Sequence, residues 1–245
     1  MTARRTTATA RRVLVQLRHD PRTVAMLLAV PAVLMGLLAW ILHDRGGEFD
    51  QFGPPLLGIF PLIVMFLVTS VATLRERTSG TLERLLTMPL AKADFVLGYA
   101  LAFGLAAVVQ ALVVSGLSFG VYGLHVVGSA WLVVVVAVVD ALLGTALGLS
   151  LSALASTEFQ AVQFMPAVIL PQLLLCGLIV PRAQLPLVLR WLSDVLPMSY
   201  AVSATQQLDT SPTVTTTFVT DVVVVAVFVV AALALGSTTL RRRTP

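Results

Sequence analysis

Side chains able to do chemistry are few and scattered in this sequence. Lys92 is the only lysine, and Ala91 precedes it. The phosphate-cradling pattern G-x-x-x-x-G-K-[ST], whose lysine reaches the β and γ phosphates, is therefore absent. His19, His43 and His125 lie far apart, and none stands in H-E-x-x-H or a comparable metal-ligand spacing. No serine sits in G-x-S-x-G, and no histidine falls near the middle of an apolar run to activate one. The single cysteine, Cys176, lies within an apolar run, so neither a disulfide framework nor a CxxC metal site can form within one chain, and the residue reads as a small core side chain. These absences argue against an enzyme.

Two intramembrane-type polar positions remain. Asp140 is the acidic residue deep within an apolar run, where an ionised carboxylate costs about 2.5 to 3.5 kcal/mol on insertion, so it should face protein or water. Gly144, Gly148 and Ser152 follow it at four-residue intervals and share its helical face, a small-xxx-small stripe that permits close packing. Gly98, Ala102, Ala106 and Gln110 repeat the pattern in the preceding run, with Gln110 within about one helical turn of the depth of Asp140. The spacing predicts that these two faces pack together with Gln110 hydrogen-bonded to Asp140. The functional alternative makes Asp140 a proton or cationic-substrate site, as in a secondary antiporter.

The elements that must hold these residues are apolar. The chain has 245 residues, 58% hydrophobic and only 11% charged, whereas a soluble domain carries about a quarter charged residues. Runs near the roughly 20 residues that cross a hydrocarbon core predict a polytopic helical bundle, one membrane unit with no separate soluble domain. Spans are expected at about 23–42, 56–74, 95–119, 126–155, 161–180 and 218–240, the fifth bent by Pro166 and Pro171. Asp20 reads as an N-cap with Pro21 at the first helical position. Residues 1–19 place Arg4, Arg5, Arg11, Arg12 and Arg18 on a polar side and Val13, Leu14 and Leu17 on an apolar one, the pattern of an amphipathic helix lying on a membrane. A secretory signal is the weaker reading there, because the charged RHDPR break follows and no A-x-A cleavage site comes after the apolar stretch. Residues 181–212 are mixed in polarity and broken by prolines, and Leu187 to Leu196 is amphipathic but too short to span.

The net charge of +4 does not point to nucleic acid, because the basic residues cluster at the ends of apolar runs, where they meet lipid headgroups and set topology. With both termini in the cytoplasm, thirteen of the sixteen lysines and arginines fall inside, leaving Arg45, Arg182 and Arg190 outside. That orientation puts RERTSGTLERLLTMPL, Arg75 to Leu90, in a cytoplasmic loop between the second and third spans. Within it Leu82, Leu85 and Leu86 repeat at i, i+3, i+4 between Gly80-Thr81 and Pro89, giving a helix of about two turns with one apolar edge. A helix so short is marginal alone in water, so contacts must hold it. An interfacial connector whose arginines hold anionic headgroups would satisfy that requirement.

RERTSGTLERLLTMPLAKADFVLGY, Arg75 to Tyr99, closely resembles the loop after the second span of ABC-2 type permeases, particularly drug and antibiotic exporters of the daunorubicin-resistance kind. RHDPRTVAMLLAVPAVLMGLL resembles that family's start, and LCGLIVPRAQLPLVLRWLSDVLPMSYAVSATQQL its segment before the last span, so the likeness covers nearly the whole chain. GTLERLL with its flanks is the more specific signal.

The resemblance implies an all-α membrane protein of the ABC-2, type V exporter-like kind. Its features would be six transmembrane helices, an N-terminal amphipathic interfacial helix, a short cytoplasmic coupling helix at 80–89 and an external re-entrant element at 181–212. It further implies that Gly80, Thr81, Leu82, Glu83, Arg84, Leu85, Leu86 and Pro89 contact a separate ABC ATPase subunit. Leucines would fill an apolar groove there and Glu83 and Arg84 fix register. ATP and Mg would be bound by that partner, and this chain would carry no cofactor and no catalytic or metal site. A second permease copy, identical or paralogous, would complete a pathway in a bacterial plasma membrane for a hydrophobic or amphipathic compound. In related exporters spans two and five line the cavity, which makes Met65, Phe66, Phe164 and Met165 candidates for the path. Drug, lipid and polysaccharide permeases share this scaffold, so the cargo is left open.

Overall fold

A computed structural model describes residues 3–45, 47–78 and 92–239. In chain order the helices are α1 (Ala3–Arg18), α2 (Pro21–Ile41), α3 (Glu48–Thr78), α4 (Lys92–Gly120), α5 (Ala130–Leu151), α6 (Glu158–Leu175), α7 (Leu187–Asp194), α8 (Pro197–Thr210) and α9 (Thr216–Thr239). A short 3-10 turn at Arg182–Gln184 precedes α7. Six of these helices, α2 to α6 and α9, are long and apolar enough to cross a membrane.

Local sequence explains where the elements begin. Asp20 caps α2 as expected, its Oδ1 accepting from the Thr23 amide at 3.2 Å and its Oδ2 from the Thr23 hydroxyl at 2.6 Å, with Pro21 in the first turn. Thr157 caps α6 in the same way, accepting from the Gln160 amide at 3.2 Å. The second span starts earlier than the 56–74 expected from hydropathy. Glu48 and Asp50 lie in the first turn of α3, where carboxylates favour the helix dipole, and Phe49 buries its ring in the core. Pro54, Pro55 and Pro61 stand inside that helix and leave the carbonyls four residues earlier without their usual partner.

Two helices form the centre. Within their most apolar windows α5 is 67% buried and α3 61%, against 22% for each of α2, α6 and α9, so the first pair is wrapped by protein and the others form the rim. In a bilayer apolar side chains gain little by leaving lipid for one another, so close packing and hydrogen bonds must hold helices together. The α5 stripe supplies that approach: a Cβ on Gly144 would collide with the backbone of Leu62, and one on Gly148 would lie 2.6 Å from the Phe66 carbonyl oxygen. Gly58 of α3 reciprocates, leaving the space that the Asp140 carboxylate occupies.

The expected pairing of two small-residue stripes is overturned. The α5 stripe meets α3, and although α4 and α5 pack on each other, the two ends of the α4 stripe meet other elements. Gly98 admits Thr9 of α1, whose Cβ would be 2.6 Å from a Cβ at 98, while Gln110 reaches α2. Small residues license a close approach but do not choose its partner, and α1 and α2 supply the surface that α4 needed.

At the opposite end of the bundle from α1, the mixed-polarity segment is a clamped cap. Arg182 pairs with Asp194, and its guanidinium carbon lies 5.5 Å from the centroid of the Tyr200 ring. The Tyr200 hydroxyl donates to the Asp194 carbonyl at 2.6 Å, and Ser193 donates to the Leu175 carbonyl at 2.9 Å. The short amphipathic element expected at Leu187 to Leu196 is α7, which leaves Leu187, Val188 and Trp191 exposed.

Replacing Gly148 by Val should lower stability by about 1 to 3 kcal/mol, because the backbones of α3 and α5 must separate. Gly116→Val, where a Cβ would meet nothing within 4 Å, is the control expected to stay near wild type in detergent thermal unfolding. Equal behaviour of the two variants would contradict the close-contact reading.

Candidate functional site: the charged end of helix α3

Three consecutive charged residues, Arg75, Glu76 and Arg77, end α3. Neighbours on a helix point about 100° apart, so three in succession reach in three directions. Arg75 turns to α6 and grips Glu158 with two nitrogens, Nε at 2.7 Å and Nη2 at 3.0 Å. Glu76 turns to α1, accepting from Arg12 Nη2 at 3.5 Å and Gln16 Nε2 at 3.2 Å. Arg77 donates to the carbonyl of Ser152, just past the end of α5, at 2.5 Å. Both arginines also complement the carbonyl end of the helix dipole.

These ties differ in strength. Arg75 and Glu158 have side chains 62% and 51% exposed, so their pair contributes on the order of 0.2 to 1 kcal/mol. Its bidentate geometry matters more for orientation than for energy. The Arg12–Glu76 pair is more enclosed, and Arg12 also donates to the Tyr99 hydroxyl at 2.9 Å. Tyr99 is fully buried in an aromatic stack, 4.3 Å from Phe95 and 6.1 Å from Phe103 between centroids. The end of α3 is thereby fastened to α1, the start of α4, the end of α5 and the start of α6.

The expected coupling segment, Gly80 to Pro89, lies outside the described residues, so Gly80, Thr81, Leu82, Glu83, Arg84, Leu85, Leu86 and Pro89 have no geometry here. What is described is the anchor at Arg75 to Arg77, which ends three residues before it. Hydropathy and motif reading did not pick out Arg12, Gln16, Tyr99 or Glu158 as its partners. Glu158 carried a signal, an acid in the first turn of a span at the same membrane face as Arg75.

The intramembrane polar pair is not a pair. Gln110, fully buried, donates from Nε2 to the Leu27 carbonyl of α2 at 2.7 Å. Asp140, 2% exposed, sits in the α3–α5 seam beside Gly58, and its Oδ1 has no hydrogen-bond partner. Met65 and Phe66 are fully buried within the chain, whereas Phe164 and Met165 are half-buried on α6. Among the described residues no group of three His, Cys, Asp or Glu side chains is arranged to hold a metal ion.

Residues 5–208 match the family model described as ABC-2 type transporter. The chain belongs to the ABC-2 type transporter family. It is 30% identical over 155 residues to the protein named probable multidrug ABC transporter permease YbhR of Escherichia coli, covering 63% of this chain and 42% of that one. It is 28% identical over 151 residues to inner membrane transport permease YhhJ of Escherichia coli, covering 60% and 39%. A match at 29% identity over 161 residues to ABC transporter G family member 20 of Dictyostelium discoideum covers 65% and 22%. The ABC-2 chain thus spans less than half the length of these relatives.

Within this ABC-2 protein, reversing Arg75 to Glu or Glu158 to Arg should each destabilise the fold slightly, and the double reversal should recover a coupling of about 0.5 kcal/mol. A double-mutant cycle on thermal unfolding in detergent measures it. Strict additivity would mean that the contact contributes nothing.

Proposed function

We propose that this chain is the membrane-spanning subunit of an ATP-driven exporter that moves a hydrophobic or amphipathic compound out of a bacterial cell. It works as a pair of permeases with separate ABC ATPase subunits. Family membership and relatives named as ABC transporter permeases support the reading. The observation that carries it is the fastening of α3 immediately before residues 80–89. An ATPase that pushed on a two-turn helix there would push on a stem already tied to α1 and α6. The asymmetry of lysine and arginine supports placing both termini and this stem in the cytoplasm, in the plasma membrane.

In that arrangement Leu82, Leu85 and Leu86 enter an apolar groove of the ATPase, Glu83 and Arg84 set register, and Pro89 ends the lever. ATP and Mg reside in the partner, whose hydrolysis supplies the energy. Leu85→Asp should weaken docking by about 2 kcal/mol, more than tenfold in subunit affinity. Co-expression with an ATP-binding-cassette subunit, followed by measurement of ATP hydrolysis and transport together, checks this. Intact assembly and coupled transport in Leu85→Asp and Glu83→Arg would refute the coupling-helix role.

One observation favours a second reading, a proton-driven secondary transporter: the Asp140 carboxylate oxygen that lacks a hydrogen bond inside a span. Asp140→Asn discriminates, because it keeps volume and removes the ionisable group. The exporter reading predicts unchanged ATP-dependent transport in this variant and in cells whose proton gradient has been collapsed. Loss of transport with normal expression would favour the proton carrier.

A further inference from the structure

Beneath α1, in the angle it makes with α3 and α4, lies a cavity of about 560 Å³. This is within the usual range for small-molecule sites. Its body is apolar, formed by Leu17 of α1, Val71 of α3 and Phe103 of α4 among others. From Arg75 at its polar end to Leu67 at its deepest level is eight residues of α3, about 12 Å. Met26 of α2 and Val162 of α6 also line it and are 61% and 43% exposed on the bundle surface. Where no second copy covers α2 and α6, apolar side chains exposed on these membrane-crossing helices face acyl chains, and there the cavity opens sideways to the bilayer.

The charges at its polar end do not cancel. Arg75 spends two nitrogens on Glu158, and Glu76 is satisfied by Arg12 and Gln16. Asp20 is the third carboxylate; Arg75, already bonded to Glu158, also attracts it, but forms no ion pair with it. Arg18 and Arg22, its neighbours in sequence, are exposed and do not line the cavity. Hydrogen bonds from the Thr23 hydroxyl and amide hold the Asp20 carboxyl below the usual carboxylate range, so it stays ionised at neutral pH. Asp20 Oδ1 accepts from the Thr23 amide and Oδ2 from the Thr23 hydroxyl, the Arg22 amide adds a weaker contact, and the carboxylate keeps acceptor capacity for a further donor. An anionic or zwitterionic headgroup would bring a phosphate to an end where the one lining arginine is already held by a carboxylate.

We propose that this cavity binds an amphipathic monocation drawn from the adjoining membrane leaflet, its apolar body against Leu17, Val71 and Phe103 and its ammonium group at Asp20. That the leaflet is cytoplasmic and the occupant is cargo rests on the exporter reading; occupancy of the site does not.

Binding is measured on the full-length chain alone in phosphatidylcholine nanodiscs, by fluorescence of pyrenebutylamine and of its neutral N-acetyl derivative. The amine should bind about tenfold more tightly than the amide, the selectivity of one charge-assisted contact. Asp20→Asn keeps a side chain able to cap α2 and should erase that preference, leaving neutral-probe affinity and thermal stability unchanged. Val71→Trp should weaken both probes by filling the cavity. Equal affinities in wild type, a preserved preference in Asp20→Asn, or loss of saturable binding on changing to phosphatidylethanolamine discs would overturn the proposal, the last by assigning the cavity to lipid. Asp20-dependent binding without ATP-driven export would sink the exporter reading alone. Coupled export without Asp20-dependent binding would sink this one alone.

Discussion

The contact between α3 and α5 sets the terms for the rest of the bundle. Side chains of a membrane helix gain little by leaving lipid for another apolar surface, so stability rests on how closely backbones approach and how completely polar groups are met. Gly144 and Gly148 let α5 lie against the Leu62 and Phe66 carbonyls of α3, and Gly58 leaves room for Asp140 in the same seam. Once those two helices are in register, Ser152 at the end of α5 and Glu158 at the start of α6 fall beside the last turn of α3. The charged end is therefore a consequence of the packing as well as a contributor to it.

That geometry gives mechanical meaning to charges that hydropathy treats as a break. A single surface ion pair fixes little, yet Arg75, Glu76 and Arg77 engage three separate elements. A load on the segment after Thr78 would be shared by α1 and α6 as well as α3. The α1 helix adds a second constraint, because Arg12 ties it to the buried Tyr99 at one side of the apolar cavity. In the proposed exporter, movement of the ATPase would thus act on the cavity walls through the same residues that stabilise the resting bundle.

Sequence reading recovered the features governed by local rules. Asp20 and Pro21 announce the start of α2, hydropathy finds six crossing helices, and the amphipathic spacing after Pro186 becomes α7. It failed where a choice among neighbours decided the outcome. The stripes of α4 and α5 are equivalent as patterns, but Gly98 faces Thr9, Gln110 bonds Leu27, and Asp140 is left against Gly58. The early start of α3 was hidden by Pro54 and Pro55, which signal a turn locally while packing holds them in a helix. Of the candidate site, Arg75 was visible as part of a charged run, but its partner Glu158 is 83 residues distant and no periodicity links them. Residues 80–89, on which the family resemblance weighs most, lie outside the described residues.

The central claim is that, in the proposed exporter, the end of α3 moves together with α1 and the start of α6 when the ATPase acts. Cys176, the single native cysteine, is buried, so spin labels can be introduced at Ala8, Thr78 and Phe159, which are exposed on α1, α3 and α6. Pulsed electron resonance distances are then measured in the complex with the proposed ATPase, before and after ATP binding. The account predicts that Thr78 moves relative to a label on the exposed Trp191 of α7, while its distances to Ala8 and Phe159 within the same chain stay constant. A change in the Thr78 to Phe159 distance with the Trp191 reference unmoved would contradict it.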